Sequence, residues 1–259
     1  CIRDRYKVKE ENGARGRVRG IVGRGRGRRH GWIGVIMATS TVEDYIKRIF
    51  LEQQRVPGRL VPMGRLAEAM GVVPGTATSM VKTLAESGLV EYASRAGTRL
   101  TPGGEKLALH VLRRHRLVEL FLVETLGMDW GEVHAEAENL EHAISDKVIE
   151  RLDAFLNHPR VDPHGDPIPS ADGELPSRRL ARLPDCACGA CLRVEQIADQ
   201  DARFLQFVDR NQLAPGAQLT VSEIGTAADA VTIVNAEGRS ITIGLAAAAK
   251  ILVAPVTDG

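Results

Sequence analysis

Gly71-Val72-Val73-Pro74 interrupts two short runs of helical periodicity, so this region folds as two helices meeting at a tight turn. Before the break, Leu66, Ala67 and Met70 share a face over about Met63 to Met70; after it, Ala77, Met80, Val81 and Leu84 do so over about Pro74 to Glu86. The second run turns Thr76, Ser79, Lys82 and Thr83 outward, with Thr78 on the flank. Short polar side chains on the outer face of the second helix predict a helix-turn-helix, with Thr76, Thr78, Ser79 and Lys82 approaching bases or phosphates. After Gly88, Leu89–Tyr92 reads as a strand, Arg95-Ala96-Gly97 as its turn and Thr98–Thr101 as the return. This hairpin would be a wing, placing Arg95 and Arg99 against phosphate. A small helical domain with no nucleic-acid role is the competing reading of the same pattern.

Longer helices flank this unit. One opens at Ser40, which with Glu43 forms a capping box, and carries the stripe Val42, Tyr45, Ile46, Ile49 and Phe50. A second runs from Gly104 to about Thr125, and a third from near Trp130 to about Asn157 on the core positions Val133, Ala137, Leu140, Ile144, Val148, Leu152 and Phe155. Together they offer more apolar surface than one wing domain covers, which predicts a helical dimer interface. Residues 157–184 are rich in Pro, Gly and Asp; His158 and His164 there read as turn residues rather than ligands. Five short β-rich runs follow (Arg193–Ile197, Gln218–Ile224, Ala230–Val234, Ser240–Gly244 and Ile251–Val253), predicting a small barrel interrupted by one helix near Asp201–Asp209.

The net charge of +1 hides an uneven distribution, because residues 1–36 carry eleven Lys/Arg against three acids. That Gly- and Arg-rich segment lacks apolar periodicity and reads as a disordered basic extension. The chain opens on Cys1, and Met37 stands just ahead of the first patterned helix, so the expectation is that the native chain starts at Met37. A basic arm gripping DNA phosphates is the alternative; a targeting peptide would need an apolar region that is missing. No apolar run approaches the roughly 20 residues of a membrane-spanning helix. Four cysteines make no disulfide framework for 259 residues, which suits a reducing, cytoplasmic setting. Cys186, Cys188 and Cys191 form a C-x-C-x-x-C cluster, able to bind a soft metal or sense oxidation but lacking a fourth ligand nearby.

The clearest chemical signal lies on the third helix. His134, Glu138, Glu141 and His142 fall at i, i+4, i+7 and i+8 and share a face; His115 and Glu119 form an i, i+4 pair on the helix before. Neighbouring helices presenting Glu and His inward can build a divalent-metal site. A solvated charged face is the alternative.

The stretch His134-Ala135-Glu136-Ala137-Glu138-Asn139-Leu140-Glu141-His142-Ala143-Ile144-Ser145-Asp146 resembles the metal-site helix of the diphtheria toxin repressor family and its manganese-sensing relatives. His115-Arg116-Leu117-Val118-Glu119, Pro163-His164-Gly165-Asp166-Pro167-Ile168-Pro169 and Thr41-Val42-Glu43-Asp44-Tyr45-Ile46 carry the resemblance further, over Ser40 to Pro255. It implies a mainly α protein with a small β part: a winged helix-turn-helix over 37–109, a metal-binding and dimerisation domain over 110–176, a linker over 177–192 and an SH3-like (FeoA-like) barrel over 193–259. It also implies a regulatory metal site of Asp44, Glu138, Glu141 and His142, and a second of His115, Glu119 and His134.

Departures from the family refine this reading. Iron-sensing members place Met and Cys where this chain has Asp44 and Glu138; oxygen ligands there favour Mn2+, with Fe2+ as the alternative. Some manganese sensors carry Glu at the position of Lys47, so a paired-metal site built on that Glu is not expected here. Two further ligands supplied by the barrel would fall near Gln200 and Arg203, and Arg203 cannot bind metal; Asp199 or Asp201 is the substitute.

The implied function is a homodimeric repressor controlling metal homeostasis, in which metal orders the DNA-binding domain for a palindromic, double-stranded operator. Two rivals stand beside it. A helical metalloenzyme would turn over substrate with metal, although no nucleophile or base motif accompanies the ligands. A DNA-binding protein with purely structural metals would bind its operator regardless of metal.

Overall fold

In the computed structural model, residues 39–225 and 227–256 are described; the expectations for residues 1–36 lie outside them. The chain begins with α1 (Ser40–Arg55), α2 (Met63–Ala69) and α3 (Pro74–Glu86), continues through the hairpin β1 (Val90–Ala93) and β2 (Gly97–Leu100), and enters α4 (Pro102–Glu124). Thr39, not Ser40, caps α1, its hydroxyl accepting from the Val42 amide at 3.4 Å. Glu43 is free of the predicted capping box because it points across to another helix.

The stripe on α1 buries Tyr45, Ile46, Ile49 and Phe50 against Leu66, Ala67, Ala77, Val81, Leu84 and the α4 residues Ala108, Leu109 and Leu112. Each large side chain withdrawn there contributes about 1.5–3 kcal/mol. The hairpin is fastened to this core twice. Val61 and Thr98 exchange backbone hydrogen bonds of 2.8 and 3.0 Å, and the Gln53 side chain accepts from the Leu100 amide at 2.7 Å. The hairpin and the outer face of α3 therefore rest on one shared core. Thr76, Ser79 and Lys82 are exposed, while Thr78 is half-buried and donates to the Pro74 carbonyl at 2.8 Å. Arg95 is exposed at the hairpin turn with φ 65, and Arg99 pairs with Glu91 across the strands.

The predicted third helix is two: α5 (Val133–Glu141) and α6 (Asp146–Phe155). Ser145 breaks it by adopting extended backbone, φ −73 and ψ 154, and its carbonyl starts the new helix by accepting from Val148 and Ile149. The apolar repeat is split accordingly. Val133, Ala137 and Ile149 are buried beside α4, whereas Val148 and Phe155 remain 48% and 66% exposed. An open hollow forms between Phe121 of α4 and Val148, Leu152 and Phe155 of α6.

The C-terminal part holds β3 (Ala181–Arg182), β4 (Cys191–Ile197), α7 (Ala202–Arg210), β5 (Gln218–Gly225), β6 (Ala230–Asn235), β7 (Ser240–Gly244), α8 (Leu245–Ala248) and β8 (Ile251–Pro255). All pairings are antiparallel, in the order β3-β8-β4-β5-β6-β7. The five expected strands are present, joined by β3 from the predicted linker. The sheet does not close into the expected barrel, since β3 and β7 are unpaired on their outer sides. Irregular register at Val194/Gln196 and Val221/Glu223 curves it around Val194, Ile197, Val221, Ile233 and Val253, with Leu205 and Val208 of α7 covering one side. Among the described residues, no helix is long and apolar enough to cross a membrane.

Candidate metal centre

Three helices deliver the polar residues to one basin. From α1 come Glu43, Asp44 and Lys47; from α4, His115 and Glu119; from α5 and its C-terminal cap, His134, Glu138, Glu141 and His142. The helical spacing read from the sequence sets this convergence, because residues four apart on α4 and on α5 stand one above the other.

His142 is the pivot between α1 and α5. Its Nε2 lies 2.8 Å from Asp44 Oδ1 and 3.4 Å from Glu141 Oε1, and its Nδ1 lies 2.7 Å from Glu43 Oε2. Burial alone would push the imidazole toward neutrality; Glu43, Glu141 and Asp44 override it and raise its pKa. Burial raises the pKa of Asp44, with His142 opposing. An open cleft of about 500 Å³, lined by Ser40, Asp44, Glu138, Asn139, His142 and Ala143, leads to this group.

A second group adjoins it through Glu141, whose Oε2 is 2.6 Å from His115 Nδ1. His115 Nε2 then meets Glu119 Oε1 at 3.0 Å and His134 Nδ1 at 3.1 Å. Burial would lower the His115 pKa, but the Glu119 charge and hydrogen bonds with Glu119 and Glu141 hold it up at about 9. Burial likewise pushes Glu119 up, and His115 and His134 outweigh it, leaving the carboxyl far below its ordinary range.

One prediction follows for the metal-free chain. A histidine raised from 6.5 to about 9 contributes stability that is fully present below pH 6.5 and lost as pH rises through 9. Guanidinium unfolding in chelator at pH 6 and pH 9.5 should show wild type losing about 1–3 kcal/mol more than His115→Gln. Equal losses in the two proteins would remove the ion pair from the account.

The structure thus brings all seven expected ligand candidates together, with one change of grouping. Asp44, Glu141 and His142 present donor atoms within 4.8 Å of one another, as do His115, Glu119 and His134; Glu138 instead groups with His115 and Glu141. Sequence reasoning also passed over a fourth cluster. Glu119, Asp162 and His164 converge with the same spacing, and Glu119 Oε2, Asp162 Oδ2 and His164 Nδ1 are buried with no hydrogen-bond partner. His164 Nε2 donates to the Trp130 carbonyl at 3.0 Å, which leaves Nδ1 facing Glu119 Oε2 at 4.0 Å. Asp162 Oδ2 has Arg116 3.5 Å away, and burial, with Asp166 and Glu119 close by, raises its pKa well above the ordinary value. The Pro163-His164-Gly165 turn was the available signal, but a turn sequence does not reveal that its imidazole points inward.

The donor set suits a hard or borderline divalent cation. It consists of carboxylates and imidazoles, and among the described residues no cysteine joins these clusters. Orphaned buried acceptors on Glu119, Asp162 and His164 are what a cation would satisfy. In the C-terminal sheet unit the two acids expected as substitutes are engaged elsewhere: Asp199 pairs with Lys250, and Asp201 caps α7 through the Arg203 and Phe204 amides.

Comparison with known proteins bears on residues 37–255. Residues 37–98 match the iron dependent repressor N-terminal DNA binding domain, 101–170 the iron dependent repressor metal binding and dimerisation domain, and 181–255 the FeoA domain. The iron-dependent repressor IdeR of Mycobacterium leprae is 31% identical over 208 residues, covering 75% of this chain and 88% of that protein. The chain belongs to the diphtheria toxin repressor family.

Its other relatives agree. The diphtheria toxin repressor of Corynebacterium efficiens is 34% identical over 208 residues, or 78% of this chain and 86% of that one. A solved manganese-dependent transcriptional repressor in complex with manganese superposes with a TM-score of 0.76 at 38% identity, spanning 83% of this chain and 99% of that one. The manganese regulator SloR superposes at 0.68 with 33% identity, spanning 83% and 98%. As a member of the diphtheria toxin repressor family, the chain is a metal-dependent transcriptional repressor with a DNA-binding domain and a metal-binding dimerisation domain, not an enzyme.

Proposed function

We propose that this repressor responds to manganese through Asp44, Glu141 and His142, with Fe2+ as the alternative signal. The observation that carries the reading is the position of His142, held between Asp44 on α1 and Glu141 on α5. Bound there, a divalent ion supplies the positive charge that lets these carboxylates converge. Asp44 is the contribution of the DNA-binding domain, so its engagement fixes α1, and the α2–α3 unit packed on it, against α5. Less ordering then remains to be done on DNA. Oxygen and imidazole donors without sulfur support manganese over softer metals; the relatives named for iron support the alternative. His115, Glu119 and His134 form the second site of this reading, and Glu138 lies between the two.

The domains are read as 37–109 for DNA binding, 110–176 for metal and dimerisation, 177–192 as linker and 193–259 as an open SH3-like unit. The apolar hollow of Phe121, Val148, Leu152 and Phe155 is the surface through which two copies pair. Pairing across it gives the two recognition helices a two-fold relation suited to a palindromic operator in the cytoplasm, at genes of metal homeostasis. Thr76, Ser79 and Lys82 face the groove, Thr78 supports the first turn of α3, and Arg95 reaches the flanking phosphates. Arg99 joins Arg95 by exchanging its exposed Glu91 partner for phosphate.

Selection from a random pool of DNA duplexes, with and without Mn2+, tests the reading. Inverted repeats enriched only with Mn2+ are expected; enrichment indifferent to metal would refute it. On a selected duplex, Lys82→Ala should weaken binding about three- to tenfold and reduce the magnitude of the log K against log salt slope by about one. An unchanged slope would place Lys82 away from phosphate.

A further inference from the structure

One of the donor groups with spacing fit for a cation already holds one. His115, Glu138 and Glu141 present ligand atoms within 4.8 Å of one another, and the Lys47 ammonium sits against two of them. Its Nζ lies 2.7 Å from Glu138 Oε1 and 2.6 Å from Glu141 Oε1. The Lys47 side chain is 6% exposed and that of Glu141 is fully buried, so bulk solvent screens little of this pairing. We propose that Lys47 is the resident cation of the basin, occupying the Glu138–Glu141 position and competing with an incoming divalent ion for Glu141 Oε1.

The competition follows from how few oxygens Glu141 has to give. Oε2 is engaged by His115 Nδ1 at 2.6 Å. Oε1 is the atom 3.4 Å from His142 Nε2, on the side of Asp44, and it is the atom that Lys47 holds. An ion drawn to Asp44, Glu141 and His142 must share that oxygen with an ammonium or displace it, and the two cations repel. Lys47 stands three residues after Asp44 on the same helix, so the ion and its competitor enter from one face of α1. A flexible four-carbon stem lets the ammonium withdraw without moving the backbone. Two consequences follow: the regulatory group fills with a single ion, and it fills at a higher free-metal concentration than its carboxylates would otherwise set. In the metal-free chain the same contact joins α1 to α5 and relieves the repulsion between Glu138 and Glu141.

This inference rests on the metal reading of Asp44, Glu141 and His142, and the experiment separates the two. Mn2+ is titrated calorimetrically into the full chain as wild type, Lys47→Met, Lys47→Gln and Asp44→Ala, with circular dichroism and thermal melts alongside. Lys47→Gln removes the charge but keeps a polar side chain with N–H donors, so it guards against a folding defect in Lys47→Met. The expected result is at least tenfold tighter Mn2+ binding in both neutral variants. Their metal-free melting temperatures should fall below wild type, and saturating Mn2+ should close the gap. Folded Lys47→Gln with unchanged or weaker affinity, while Asp44→Ala binds one ion fewer than wild type, overturns the role of Lys47 alone. Asp44→Ala that keeps the wild-type stoichiometry and affinities overturns the metal reading beneath it, because the cluster of His115, Glu119 and His134 accounts only for the ion that remains.

Discussion

Asp44→Ala should lower the manganese-dependent affinity for a selected duplex by about 100-fold, near the upper end of the coupling energies that link two sites in one protein. Asp44 is the α1 carboxylate nearest to His142 Nε2, at 2.8 Å, and it lines the open cleft that leads to that imidazole. Alanine leaves Glu43 on the other nitrogen of His142 and removes the α1 oxygen that an ion would share with Glu141. The DNA-facing residues of α3 are untouched, so weak binding to unselected DNA should persist at wild-type strength. Helix α1 itself should survive, because losing one acid from its first turn costs only about 0.3–1 kcal/mol. Fluorescence anisotropy with labelled duplex, with and without Mn2+, reads both terms. A variant that still responds to manganese would detach Asp44 from the signal.

Gly165→Ala should destabilise the chain by about 3–4 kcal/mol, the range reached when a substitution forces backbone apart. Gly165 has φ +84, and a Cβ there would stand 2.0 Å from the Glu195 carbonyl oxygen and 2.9 Å from Gln196 Cα. Both are backbone atoms of β4, so neither can swing away. The loop is also stitched to that strand: the Ile197 amide donates to the His164 carbonyl at 2.8 Å, and Gln196 Nε2 to Asp166 Oδ1 at 2.8 Å. Relief requires lifting the loop from β4, which would pull His164 and Asp162 from Glu119. Gly173→Ala is the matched control, with φ +82 but only Lys106 Cγ within reach, at 3.8 Å. It should cost about 1 kcal/mol, the backbone strain without the clash. Urea unfolding compares the two; similar losses would show that strain at φ rather than contact with β4 accounts for the effect.

The elements were legible wherever local periodicity set them. The turn before Pro74, the hairpin after Gly88 and the length of α4 follow from apolar spacing and from Gly and Pro, and their residues meet as expected. The break after Glu141 was not legible, because Leu140, Ile144, Val148 and Leu152 keep an unbroken four-residue spacing across it, whereas it is Ile149, off that repeat, that the fold buries. Openness of the sheet was hidden for another reason. It depends on β3, two residues long, pairing with β8 some seventy residues later, and two residues carry no period. In the site, i, i+4 spacing revealed His115 with Glu119 and the α5 face. Glu43 read as a capping acid and His164 as a turn residue, since their partners, His142 and Glu119, are distant in sequence. Lys47 was visible as a departure from the family, but only packing shows its ammonium between Glu138 and Glu141.

Anomalous diffraction at the manganese edge, from crystals of the full chain grown with Mn2+, tests the central claim most directly. The account predicts a peak within bonding distance of Asp44, Glu141 and His142. Manganese found only beside His115, Glu119 and His134, or beside Glu119, Asp162 and His164, with Asp44 unligated, would contradict it.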